Sequence, residues 1–382
     1  MPRPSSTDAL LEALAALAAS PLAEARALPP GLYTDTGVHA LEMEHVIGRG
    51  WTCVGRVEQV ARPGDYLTAE LPGAQLMVVR QADGTLRALS RVCRHRGALL
   101  GEAGGGSARL FVCPYHKWTY ELDGALRGAP GMTDAPAFSA ADCALPSFPV
   151  EVWQGFVFVN GDPDAAPLGA QLAPLDARLE AHRLAGLRVA FTLEEAWDAN
   201  WKVAFENGCE SYHHMGVHGA TLEPYFPALG TRCEPGGAAY NLHVVPGAEG
   251  FAFAAREGAG ALSPEAATSL VVVGIYPTSI LVLSGETATL FGFTPLDVER
   301  TRVRASWLVP AATLADPGAA ERLARDRATL EAILAEDRRS CSQVQRGLRT
   351  HDATGGPLAP LERTVAEFAR HLAARLGGAL RP

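Results

Sequence analysis

The spacing of hydrophobic and polar positions changes character several times along the chain. Near the start, Leu10, Leu11, Leu14 and Leu17 recur at helical spacing, with Ser6 or Thr7 placed to cap an amphipathic helix. From about Trp51 to Asn160 the pattern becomes short apolar runs broken by Gly, Pro and Asp. Examples are LMVVR with its turn at Ala82-Asp83-Gly84, ARLFVCPYH, and VWQGFVFVNGD. Strand and hairpin signals this closely spaced predict a small all-β unit. Asp162 to Leu175, rich in Pro, Asp and Ala, reads as a linker. A helical pattern then carries Trp197 to His213, and strand-like segments resume near 238–245, 269–284, 288–294 and 302–309. The tail from Ala315 to Leu376 is mostly helical, with a break around 353–357. The order predicts a β-domain ahead of an α+β domain.

Length and charge narrow the picture. A chain of 382 residues suits two domains, at roughly 100–200 residues each. With 48% hydrophobic and 20% charged residues, disorder is excluded as the main state. The net charge of −9, with no basic stripe, argues against a nucleic-acid partner. The most apolar run, Val271 to Leu283, contains Pro277 and falls short of the roughly 20 residues a spanning helix needs. Asp8 and Glu12 interrupt what would otherwise resemble a signal peptide, so the expectation is a cytoplasmic protein off the membrane. Seven cysteines do not suggest a disulfide framework. Five of them stand alone and read as small buried hydrophobes. Cys93 and Cys113 differ, because each has a histidine close by.

The segment CRHRG…CPYHKW gives Cys93-x-His95 and, after seventeen residues, Cys113-x-x-His116. Zinc accepts two Cys and two His, but its fingers pair cysteine with cysteine and histidine with histidine along the chain. Here the types alternate in both loops. That suits a [2Fe–2S] cluster with both cysteines on one iron and both histidines on the other, the Rieske arrangement. Neutral imidazoles put less negative charge on the cluster than thiolates, so an added electron is held more easily. Gly97 and the glycines at 104–106 permit close backbone approach.

A second constellation lies in NWKVAFENGCESYHHMGVHGATL. Glu206, Glu210 and His213 are spaced to share one face of a helix. His218 lies five residues past His213, about 140° further round an ideal helix, so both reach one metal only if the helix ends or distorts between them, with Gly216 offering the break. Two histidines and a carboxylate with open positions mark an oxygen-activating non-haem Fe(II) site. His214 fits no ligand position and is expected beside the site or at the surface.

Both motifs, in this order, resemble the catalytic (alpha) subunit of Rieske non-haem iron oxygenases, from LPPGLYTD to EDRRSCSQVQRGL. The resemblance implies an α+β fold: a small all-β Rieske [2Fe–2S] domain (46–162) and a helix-grip catalytic domain (163–382), an antiparallel sheet around a long helix. A helical segment, 1–45, would pack on the latter. It implies Cys93, His95, Cys113 and His116 as cluster ligands, and His213, His218 and Asp337 as ligands of mononuclear Fe(II). Glu336 and Asp326 compete with Asp337 for that place. It gives Glu210 the role of bridging His213 to a cluster histidine of a neighbouring subunit in a head-to-tail homotrimer, although many relatives have Asp there. Lys117 stands where many relatives have Gly; lysine lacks glycine's freedom at positive φ, and its charge would favour cluster reduction or meet a reductase. No G-x-G-x-x-G follows a strand, so electrons are expected from a separate NAD(P)H-dependent flavin/iron–sulfur reductase.

The wording of the N-terminus and of ENGCESYHH is most similar to the homotrimeric branch acting on choline, glycine betaine, carnitine or stachydrine. The expectation is therefore hydroxylation or oxidative N-demethylation of a quaternary-ammonium substrate in an aromatic pocket. Phe205, Tyr225, Phe226, Tyr276, Phe291, Phe293 and Trp307 are the candidate walls. Alternatives are an aromatic-ring hydroxylating (di)oxygenase alpha subunit, a Rieske electron carrier without oxygenase activity, and a zinc-stabilised binding module.

Overall fold

The computed structural model describes residues 6–254 and 262–377. The chain divides into two compact units, Ile47–Ala170 and Met1–Val46 with Gln171–Pro382.

The smaller unit is built from three antiparallel sheets. In its five-stranded sheet, Asp65–Leu71, Ala74–Arg80 and Leu86–Ser90 form the centre. Side chains alternate along a strand, and here both faces are buried. Met77 and Val79 enter one core with Cys93, Cys113, Trp118 and Tyr120. Leu76 and Val78 enter another with Leu67, Ala88, Val157 and Val159. That is why LMVVR is an unbroken apolar run. The hairpin after it closes at Gly84, whose φ of +83° suits glycine.

The larger unit holds a seven-stranded antiparallel sheet: β1 (Leu187–Trp197), β2 (Arg232–Glu234), β3 (Tyr240–Pro246), β4 (Ser269–Ile275), β5 (Ser279–Ser284), β6 (Thr287–Asp297) and β7 (Arg300–Pro310). Its spatial order is β1-β7-β6-β5-β4-β3-β2. The helices that matter are α1 (Thr7–Ala19), α2 (Trp201–Gly208), α3 (His214–Val217), α4 (Ala319–Leu348) and α5 (Arg363–Leu376). Ser6 caps α1 by accepting from Ala9 N–H at 3.3 Å, and Leu10, Leu11 and Leu14 are buried as α1 packs along α5. The α+β class expected from the sequence holds. Among the described residues, no helix is long and apolar enough to cross a membrane.

The α4 helix has 30 residues and runs about 45 Å at 1.5 Å per residue. It is polar except for a buried stripe at Leu330, Leu334, Asp337, Cys341 and Gln345, spaced three or four apart. Asp337 thus occupies a place the helical period reserves for an apolar side chain.

Three expectations need correction: from Leu168 the expected linker is already helix, Leu168–Leu179. The segment 269–284 is two strands joined across Tyr276-Pro277-Thr278, and 197–213 is not one helix. Trp197 ends β1, and α2 starts only after Asn200. The Asn200 side chain accepts from Lys202 N–H at 2.9 Å and donates to the carbonyls of Tyr33 and Val298. Its own N–H reaches Gln345 Oε1 at 3.0 Å, so the helix start is pinned from four directions.

Candidate metal centres

In the smaller unit two loops repeat one another. Gly97 N–H donates to Cys93 O at 3.0 Å, and Lys117 N–H donates to Cys113 O at 3.1 Å. Cys93 N–H closes on Ala98 O, and Cys113 N–H on Trp118 O. Gly97 has φ +79° and Lys117 φ +61°. Lysine therefore does adopt the conformation expected of glycine, because the loop is fixed from both ends; left-handed backbone costs a residue with a Cβ about 1–2 kcal/mol.

The repeat brings all four expected side chains together. The His95 and His116 rings lie 4.6 Å apart, and His95 stacks on Trp118 at 4.8 Å. Both cysteines are buried. Burial alone would raise the Cys113 pKa, but hydrogen bonds from the backbone of His116 and Tyr115 and from Cys93 lower it overall, favouring thiolate. Tyr120 Oη accepts from Arg94 N–H at 3.0 Å and lies 3.3 Å from Cys93 Sγ, so its hydroxyl hydrogen is available to the sulfur. His116 is held neutral by burial and by the charges of His95 and Arg96, and its buried Nδ1 has no hydrogen-bond partner. A buried, unpartnered, neutral imidazole nitrogen beside two inward-facing thiols fits a metal cluster.

In the larger unit, His213, His218 and Asp337 place one ligand atom each within 4.8 Å of one another. The two histidines flank the single turn α3 as its N-cap and C-cap, with rings 5.1 Å apart. Gly216 does not make the break. Instead α2 stops at Gly208, where an added Cβ would meet Ile280 Cδ1 at 2.8 Å. Glu210 then leaves the helix and accepts from His213 N–H at 3.1 Å. Glu206, Glu210 and His213 consequently do not form one helical face. Glu206 packs against Tyr33, whose hydroxyl donates to it at 2.7 Å.

Each histidine of the trio is held by its own carboxylate. His213 Nδ1 meets Glu210 Oε1 at 2.8 Å, and His218 Nδ1 meets Glu336 Oε2 at 2.7 Å. Thr221 Oγ1 also donates to Glu336 Oε2, at 2.7 Å. These contacts place hydrogen on both Nδ1 atoms and leave the Nε2 lone pairs free to bind a metal. His218 Nε2 is buried without a hydrogen bond although Asp337 Oδ1 is 3.0 Å away, since the contact lacks hydrogen-bond geometry. Both atoms face a shared point, as metal ligands do. Burial raises the Asp337 pKa, but His218, His213 and a 3.0 Å hydrogen bond from Asn207 Nδ2 outweigh it, so the carboxylate stays ionised. Burial likewise lowers His218, and Asp337 and Glu336 reverse the sign. The adjacent acid, Glu336, thus orients a histidine while Asp337 faces the shared point; Asp326 lies further up α4. Glu336 as a partner of His218, and Asn207, are contributions that sequence reasoning missed. His214 is buried, with Nδ1 3.2 Å from Phe226 O and its pKa pushed down to about 4 by burial, so it is a neutral packing group.

A cavity of about 720 Å³ opens from this trio. Phe226, Phe291, Phe293 and Trp307 line it as expected, joined by Trp197 and Phe253. Phe205 and Tyr276 do not: both pack on Phe368, 4.3 and 5.7 Å away, inside the core. Tyr225 is half exposed.

Residues 180–378 match the family described as ring hydroxylating alpha subunit (catalytic domain), and residues 50–149 match the Rieske [2Fe–2S] domain. The chain is 36% identical over 197 residues to the carnitine monooxygenase oxygenase subunit of Escherichia coli (strain K12), 51% of this chain and 53% of that protein. It is 37% identical over 191 residues to the glycine betaine monooxygenase oxygenase subunit of Chromohalobacter salexigens, 50% of this chain and 43% of that protein. The chain thus spans about half the length of these relatives. Its fold is similar to that of the quaternary ammonium Rieske monooxygenase CntA in complex with an inhibitor, with a TM-score of 0.82 and 23% identity over 94% of this chain and 98% of that one. Two paired Cys/His loops on one unit and two histidines with a buried aspartate on the other, matched over both by family, make this chain a member of the ring-hydroxylating alpha-subunit family, the Rieske non-haem iron oxygenases.

Proposed function

We propose that this chain is the oxygenase component of a two-protein system that hydroxylates or oxidatively N-demethylates a quaternary-ammonium compound. The observation that carries the reading is the trio of half-buried His213 with buried His218 and Asp337 at the end of an aromatic cavity. In this reading Cys93, His95, Cys113 and His116 hold the [2Fe–2S] cluster, and the trio holds Fe(II). These groups supply one-electron storage and oxygen activation.

The chain's own residues do the positioning. Glu210 and Glu336 hold the protons on the two Nδ1 atoms, so both Nε2 atoms point to one place. Asn207 fixes Asp337 Oδ1. Phe226, Phe291, Phe293 and Trp307 exclude water and offer π faces to a cation that cannot donate hydrogen bonds. Glu210 also bridges to a cluster histidine of a neighbouring copy, in a homotrimer. Electrons come from a separate NAD(P)H-dependent flavin/iron–sulfur reductase. The names of the two relatives above support the amine over other substrates.

The apolar aromatic lining also favours a second reading, hydroxylation of an aromatic ring. Reconstituted protein, a chemical reductant and a mixed panel of quaternary amines and simple arenes separate the two by mass spectrometry. A hydroxylated amine, or formaldehyde from a lost methyl, is expected. Arene diols with no amine product would overturn the proposal.

A further inference from the structure

Resting on the quaternary-ammonium reading, we propose that the substrate is elongated: a trimethylammonium end at the metal trio, an apolar body, and a polar terminus some 20 Å away. The cavity is the first reason. About 720 Å³ lies within the roughly 300–1,000 Å³ that accommodates drug-sized ligands, and a small betaine would leave most of it to water.

Its form is the second reason. One wall is a single face of α4, from Asp337 through Ile333 and Leu330 to Arg325 and Arg322. Fifteen residues of helix span about 22 Å. The facing wall is β6, from Phe293 through Phe291 and Thr289 to Thr287, and six strand residues span about 20 Å. The two walls run in step. Phe293 sits at the trio end, since its ring lies 3.6 Å from where a Cβ on Gly208 would be, one residue past Asn207. Trp307 pairs with Thr289 and stacks on Phe191, over which Arg327 lies, which places Trp307 partway along α4. The cavity therefore extends about 20 Å along α4 and β6, and is walled sideways by Val272, Val282 and Trp307 of the neighbouring strands.

The chemistry changes along it. Phe293 and Phe291 line the trio end. Val272, Val282, Leu330 and Trp307 form an apolar middle. At the far end Ser284 and Thr287 place their hydroxyls 2.8 Å apart, and Glu286, Arg325 and the ion pair of Arg322 with Asp316 also line the cavity, with Phe253 and Leu270 as its apolar side there. An apolar body bridging a cation-tolerant end and a polar end matches this gradient. Desolvating such a body is favourable in proportion to its buried apolar area.

The test is a series of ω-trimethylammonium alkanoates, from trimethylglycine to about fifteen methylenes, assayed with the holoenzyme and reductant. Thr329→Trp, on the α4 face between the two ends, is assayed alongside. The expected result is a kcat/KM rising at least about tenfold from the shortest to the longest members. In Thr329→Trp the long-to-short ratio should fall back toward one. A flat or falling series in the parent protein overturns the inference, because the far part of the cavity is then only an access path, while leaving the quaternary-ammonium reading in place. Turnover of arenes with no amine of any length overturns that reading, and this inference with it. If Thr329→Trp fails to fold, the parent series alone decides.

Discussion

The two metal centres are assembled by opposite means. In the smaller unit, two short loops of near-identical backbone each present a thiol and an imidazole, and orientation comes from main-chain hydrogen bonds and from stacking on Trp118. No carboxylate contacts either histidine there among the described hydrogen bonds, and His116 Nδ1 has no partner. In the larger unit the ligand atoms come from a turn and from a helix more than a hundred residues later, and each imidazole is gripped by its own carboxylate. A loop site fixes its ligands locally; a site drawn from distant elements needs partners around each ligand to hold it. The first kind keeps negative charge away, which suits a group that must accept an electron. The second gathers carboxylates, which suits a divalent cation.

The largest effect that would break this contrast is loss of Asp337. In Asp337→Ala, iron content should fall to near zero and turnover by about a thousandfold or more, on the scale of removing a member of a unit that acts together. Visible absorption of the cluster should survive. Metal analysis beside an absorption spectrum checks it, and joint loss of both metals would show that the centres are not independently built.

Next is the carboxylate grip. Glu336→Ala should weaken iron binding about 10–100-fold, and Glu336→Gln should recover most of that, because an amide oxygen still accepts from His218 Nδ1. Iron titration reads the affinity. Equal losses in both variants would mean that the charge matters and the orientation does not.

Glu206 sharpens the contrast from outside the site. Burial pushes its pKa up to about 7, with Tyr33 donating to one oxygen and the other unpartnered. Its folded pKa lies above the ordinary carboxylate value, so the native state binds more protons than the unfolded one. The associated stability is complete below the unfolded pKa and is lost as pH rises from about 4.5 to about 7. Glu206→Gln mimics the protonated acid and should be more stable than the parent at pH 8, on the order of 2 kcal/mol, with little difference at pH 5. Thermal midpoints across pH report it; parallel profiles would sink the idea.

The smallest effect concerns Lys117. Lys117→Gly relieves a left-handed lysine and should stabilise the smaller unit by about 1 kcal/mol, while removal of the charge lowers the cluster's midpoint potential. An unchanged or lower melting temperature would show that the lysine side chain makes up for its backbone.

How legible all this was follows the same division. The alternating Cys/His order announced its loops because every ligand and its spacing lie within one short segment. The trio's histidines were legible too, yet the helix placed beneath them was not, since its end depends on Gly208 packing against Ile280 across the unit. Asp337 carried a signal in the buried stripe of α4, where a carboxylate interrupts Leu330, Leu334 and Cys341. Glu336 and Asn207 had none: their roles exist only once α4 meets α2 and α3. The aromatic walls were half legible. Periodicity shows that Phe205 and Tyr276 are inward-facing, but whether inward means core or cavity is decided by Phe368, on a helix far along the chain. The strand β1 does carry an alternation, Leu187, Val189, Phe191 and Leu193, interrupted only at Glu195 before Trp197, and sequence reasoning did not take it up.

The central claim is that the trio spends the cluster's electrons on substrate. It is tested most directly by single turnover of pre-reduced protein with oxygen-18, with and without a quaternary amine, in the parent and in Asp337→Ala. Rapid-freeze spectroscopy follows the cluster and mass spectrometry the product. The account predicts oxygen-dependent cluster oxidation triggered by the amine, one labelled oxygen in the hydroxylated product or in the formaldehyde released, and neither event in Asp337→Ala. Cluster oxidation at the same rate in both proteins, with no labelled product, would make the chain an electron carrier and contradict the account.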